Sequence, residues 1–87
     1  MFSERLEEVG RVTHYFTRIG VAVVELKAPL RIGDRIAIKG MTTDFEQKVE
    51  SMQIEHVNVK EAKPGDSIGL KVKERARKGD IVYKIVE

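Results

Sequence analysis

The stretch KVKERARKGD holds Lys71, Lys73, Arg75, Arg77 and Lys78, five basic side chains within eight residues and only one acid, Glu74, among them. Run as a strand, Lys71, Lys73, Arg75 and Arg77 share a parity and line one outer face, opposite Leu70 and Val72. Ammonium and guanidinium groups so spaced can track a phosphate backbone in a salt-dependent way. A second cluster, GRVTHYFTR, gathers Arg11, His14, Tyr15, Phe16 and Arg18, and its rings are of the kind that stack on unpaired bases. The residues thus put forward are Lys71, Lys73, Arg75, Arg77 and Lys78 as phosphate contacts, with Arg11, His14 and Tyr15 as a secondary patch. The competing use of the same lysines is a solvated edge that guards against aggregation.

Covalent chemistry has little to work with. There is no cysteine, and Ser3, Ser51 and Ser67 lack the glycine context of a nucleophile elbow. His14 and His56 are the only imidazoles, and no H-x-x-x-H or acidic loop offers converging metal ligands. No glycine precedes Lys-Ser or Lys-Thr, so a phosphate-binding loop is absent. A carboxylate pair such as Asp44 and Glu46 is cheap in a chain with fourteen acids. The expectation is a non-enzymatic chain with no catalytic residue, no metal and no cofactor.

Gly-Asp occurs three times, at Gly33-Asp34, Gly65-Asp66 and Gly79-Asp80, each with an apolar residue within the next two positions. Glycine can take a positive φ, and an Asp carboxylate can accept from nearby backbone N–H groups while a strand starts after it. The three pairs read as turns, unequally spaced and therefore not a tandem repeat.

These side chains have to be held by strands. VAVVEL, RIAIK, SIGLKVK and IVYKI alternate apolar residues with period two, and groups of Gly, Pro and Asp separate them. IVYKI sets Ile81, Tyr83 and Ile85 on one face. TDFEQKVESMQIEHVNV carries both helical and alternating spacings. The strand is preferred, with a bulge between Val49 and Met52 accounting for the parity change, because a helix would leave its neighbours unpartnered. Short antiparallel strands with no useful helix predict an all-β fold, a single closed barrel of six or seven strands. Residues 1–8 read as a charged tail whose Phe2 and Leu6 pack locally, and residues 9–87 as the barrel.

Composition sets the remaining limits. Eighty-seven residues with 41% hydrophobic content make one domain able to bury a core. The longest apolar run, Val21–Val24, is far below the roughly 20 residues of a membrane helix, and the charged start is not a signal peptide. A cytoplasmic protein with no membrane partner is expected. Ten Glu and nine Lys against three Asn plus Gln lie in the direction of thermophile proteins. The net charge of +2 divides into +2 over residues 1–40, −3 over 41–66 and +3 over 67–87.

Five segments in order carry a family resemblance: Val9-Gly10-Arg11-Val12, Leu30–Gly40, Val49–Gln53, Ala62–Leu70 and Arg77–Val82. They resemble the β-barrel second domain of translation factors, of the elongation factor Tu type. TDFEQKVESMQIEHVNVKEAKPGDSIGLKV is also similar to the C-terminal barrel of collagenase-like peptidases. The first resemblance implies a barrel that performs no chemistry and binds tRNA, ribosomal RNA or a ribonucleoprotein through its basic outer faces. The second implies a protein-interaction barrel, a detached subunit of a peptidase-like or RNA-modifying enzyme, and the −3 middle segment suits a basic protein partner.

Overall fold

A computed structural model describes residues 4–86 as strands and turns throughout. The strands are β1 (Arg5–Phe16), β2 (Val21–Leu26), β3 (Leu30–Arg31), β4 (Arg35–Lys39) and β5 (Asp44–Lys48). They continue with β6 (Met52–Ile54), β7 (Val57–Val59), β8 (Glu61–Ala62), β9 (Ser67–Lys71) and β10 (Ile81–Val86). Eight form one antiparallel sheet in the order β5-β4-β10-β1-β2-β9-β6-β7, and β3 pairs with β8 in a two-stranded ribbon. The all-β, antiparallel expectation holds. The ring of six or seven strands does not appear: β5 and β7 stand at the two ends of an eight-stranded ladder. Among the described residues no helix is long and apolar enough to cross a membrane.

The alternation read from the sequence places the core well in β2 and β9, where Ala22, Val24, Leu26, Ile68 and Leu70 are buried. One inward row crosses the sheet through Tyr15, Ala22, Leu70, Met52 and Val59. Fully burying each large aliphatic of such a row contributes about 1.5–3 kcal/mol before chain entropy is counted.

Four expectations need correction. Arg5–Glu8, expected as tail, open β1 and pair with Tyr83–Val86 of β10; Phe2 lies outside the described residues. In β10 the fully buried residue is Val82, and Ile81 and Tyr83 are only half-buried. Val82 pairs in unbroken register with the fully buried Ile38 of β4, which sets it on the inward side. In β1 a bulge, with Glu8 paired to Tyr83 and Gly10 to Val82, leaves Val9 extra and lets it reach the core. The 43–59 segment is strand and not helix, but it is three strands and not one. Val49–Ser51 leave the ladder, so that β5 pairs with β4 while β6 pairs with β9 and β7. Finally, the ladder ends at Lys71, so the Lys73–Lys78 stretch is a loop leading to β10.

The Gly-Asp turns are as the sequence suggests. Gly33, Gly65 and Gly79 have φ of 96°, 94° and 95°. In each turn the Asp N–H donates to the carbonyl three residues back, at 3.1, 3.1 and 3.0 Å. Each carboxylate then accepts from the N–H of that same residue: Arg31 to Asp34 at 2.9 Å, Lys63 to Asp66 at 2.9 Å, and Arg77 to Asp80 at 2.8 Å. Positive φ at the third position marks a type II turn, and β4, β9 and β10 begin directly after the three Asp residues.

Candidate functional site: a groove across four strands

A second bulge shapes the outer face. Val12 pairs with Val24 but His14 pairs with Val23, so Thr13 is the extra residue. The shift turns Tyr15 against the core and His14 and Phe16 outward, where their rings meet edge to face with centroids 4.5 Å apart. From His14 an outward row runs through Val23, Gly69 and Gln53 to Asn58. Beside it lies a groove of about 240 Å³, lined among others by Phe16, Ile19, Val23, Gln53, His56 and Gly69. Phe16 and Ile19 are 46% and 57% exposed, large for apolar side chains on so small a domain.

Two features of the groove lack a purely architectural explanation. Gly69 sits in the interior of β9 with no positive φ, and a Cβ there would meet its neighbours only at ordinary contact, 3.5 Å from Val21 Cγ1. Glycine costs strand stability without being sterically required, and it leaves the groove floor open. The second is the two-residue hairpin between Ile54 and Val57. Its central residues, Glu55 and His56, both have positive φ, 50° and 66°. That geometry suits Asn-Gly, and ordinary side chains held there store strain of the sort that gathers at binding sites.

The groove offers recognition more readily than hydrolysis. Ser67, His56 and Glu55 all line it, yet no hydrogen bond joins the three. Among the described residues no group of three His, Asp or Glu is placed to hold a metal. The exposed apolar rings and the open floor suit an apolar side chain from a partner.

The residues put forward from sequence fall into separate places. Lys71 ends β9, and its ammonium donates to the Ile19 carbonyl. Lys73 is exposed, and its backbone N–H donates to Gln47 Oε1 at 2.8 Å. Lys71 and Lys73 share a cleft of about 450 Å³ with Gln47, Lys48, Glu50, Ser51 and Val72. Arg75, Arg77 and Lys78 are exposed along the loop, where Val72 and Ala76 are the buried residues, four apart and not alternate. There is therefore no strand-borne basic stripe. Arg11 is exposed between Glu25 and Ile81 in the ladder, His14 faces the groove side, and Tyr15 points inward, so these three make no common patch. Sequence reasoning missed Phe16, Ile19, Gln53, Glu55, His56 and Gly69 as one site. Gly69, an isolated glycine inside an alternating strand, was the available signal.

Comparison with known proteins bears on these surfaces. No protein-family model matches the chain. The chain is 44% identical over 81 residues to an uncharacterized protease of Methanocaldococcus jannaschii, with 92% of this chain and 20% of that one covered. It is 42% identical over 78 residues to a collagenase of Porphyromonas gingivalis, covering 87% of this chain and 22% of that one. The chain thus spans about a fifth of the length of these relatives. Among solved structures it superposes on the C-terminal domain of a Geobacillus thermoleovorans protein described as a U32 peptidase. The TM-score is 0.84 at 26% identity, with 90% of this chain and 91% of that one covered. The resemblance to the barrel of collagenase-like peptidases is supported. The expected translation and RNA-binding role is overturned: protease, collagenase and U32 peptidase domain are the matches, and the basic stripe that motivated it is absent from the sheet.

Proposed function

We propose that the chain is the accessory β domain of a U32-type peptidase, without chemistry of its own, and that it docks on the rest of that enzyme through the groove. The observation that carries this reading is the superposition on a C-terminal U32 peptidase domain over nine tenths of both chains. The occupant follows from length. The matched segment is about a fifth of each relative, so most of such a protein lies outside it and needs a surface to pack on. The groove supplies exposed Phe16 and Ile19, the open floor at Gly69 and the strained Glu55-His56 rim.

The test uses the Porphyromonas gingivalis collagenase with its matching segment deleted, assayed on gelatin with the 87-residue chain added in trans. The chain alone should leave gelatin intact, and its addition should raise the deleted enzyme's activity. Gly69→Val, which fills the floor at ordinary contact distance, should fold and fail to restore. Gelatin hydrolysis by the chain alone, or full restoration by Gly69→Val, contradicts the proposal.

A further inference from the structure

The cleft at Lys71 and Lys73 lies where the chain leaves β9, close to the groove, and a side chain closes it by hydrogen bonds. The Gln47 side chain reaches from β5, an end strand of the ladder, to the segment leaving β9. Its Nε2 donates to the Lys71 carbonyl at 2.8 Å, and its Oε1 accepts from the Lys73 N–H at 2.8 Å. In a parallel strand pair one residue donates to the carbonyl before its neighbour and accepts from the N–H after it. The Gln47 carboxamide makes that same pattern around Val72, so a side chain occupies the slot of a strand residue.

The charges around the slot are uncompensated. Lys48, Lys71 and Lys73 line the cleft with Glu50 as its one acid. Like most of the basic side chains, these three lysines stand in no ion pair among the described residues, and here they converge on one cleft. The Ile19 carbonyl holds the Lys71 ammonium at the site and leaves its charge in place. Arg75 and Arg77 remain exposed further along the same segment.

We infer that this seam binds an extended acidic segment of a polypeptide, which displaces the Gln47 amide and pairs its backbone with Lys71 and Lys73. Charge complementarity selects acidic side chains. The slot selects a peptide: one residue both donates to the Lys71 carbonyl and accepts from the Lys73 N–H, whereas a nucleic-acid phosphodiester has no proton to donate. Addition of a strand at a sheet margin is an established mode of peptide capture. The side chains lining the seam are distinct from those lining the groove, although the carbonyl that holds the Lys71 ammonium belongs to the groove residue Ile19. The inference does not depend on docking there.

Fluorescence anisotropy of the full chain with labelled (Glu-Val)4, (Lys-Val)4 and octauridine tests it. The acidic peptide should bind about tenfold or more tightly than the basic one, and added salt should weaken it. Lys48→Glu/Lys73→Glu should weaken it about tenfold, and the milder Lys48→Gln/Lys73→Gln by roughly threefold, with unchanged circular dichroism. Gln47→Ala should tighten it, since no amide then has to be displaced. Equal binding of the two peptides, less than about a twofold effect of the double reversal, weaker binding in Gln47→Ala, or displacement by octauridine each overturns the inference. Gly69→Val should leave peptide binding unchanged, so a failure here is distinct from a failure of docking.

Discussion

Among the described residues five turns of this domain hold a residue at positive φ, and they meet the need in two ways; Gly20, at 63° in the turn between β1 and β2, is one of four glycines that take it. At Gly33, Gly65 and Gly79 glycine takes it, and an Asp carboxylate ties the first N–H of the turn. At Glu55-His56 two ordinary residues take it, and neither side chain caps the turn. None of the four glycines lines the groove, although the Gly20 and Gly65 turns lead directly into it through Ile19, Val21 and Ser67. Glu55 and His56 themselves line it. Strain that glycine avoids at four turns is accepted at the one whose own positive-φ residues line the groove.

The largest effect expected from perturbing this contrast is at Asp80, 4% exposed and bound to the Arg77 N–H. Asp80→Ala should cost about 2–3 kcal/mol in urea unfolding, because the N–H loses its acceptor inside the fold. Asp66→Ala, at a more exposed turn, should cost about 1 kcal/mol; equal losses at the two sites would show that burial is not what separates them. Gly79→Ala should cost about 1–2 kcal/mol through backbone strain alone, as nothing lies within 4 Å of its added Cβ. Replacing Glu55-His56 by Asn-Gly should raise stability by about 1 kcal/mol, a rise in Tm of roughly 4–8 °C, and lose docking. A lowered Tm in that variant would remove the strain argument.

The smallest effect concerns Lys39, whose pKa the hydrogen-bonded Asp44 carboxylate, 2.8 Å away, raises above the ordinary 10.5. A cation with a raised folded-state pKa contributes stability that is complete below its unfolded pKa and fades as pH climbs through the folded one. Asp44→Asn should therefore leave the Tm nearly unchanged at neutral pH and flatten its fall above about pH 10, which a calorimetric pH series would show.

The sequence disclosed what is decided locally. Each Gly-Asp turn is closed by groups three residues apart, and the inner faces of β2 and β9 follow from strict alternation. What it concealed is decided by partners distant in the chain. The bulges at Val9 and Thr13 exist only relative to β10 and β2, and they decide that Val9 reaches the core and Tyr15 turns inward, while Val82 outranks Tyr83 through its pairing with Ile38 of β4. Lys71, Lys73, Arg75 and Arg77 alternate as a strand would, but the Lys73 N–H is claimed by Gln47, 26 residues away. The groove draws on four strands and leaves no local pattern beyond the lone Gly69.

The measurement that bears most directly on the accessory-domain reading is an ¹H–¹⁵N spectrum of the 87-residue chain titrated with the collagenase deleted of its matching segment. Broadening or shifts are expected, concentrated at Phe16–Val23, Gln53–His56 and Ser67–Gly69, with Gly33 and Gly65 unmoved. An unperturbed spectrum, or perturbation confined to the Gly-Asp turns, would contradict it.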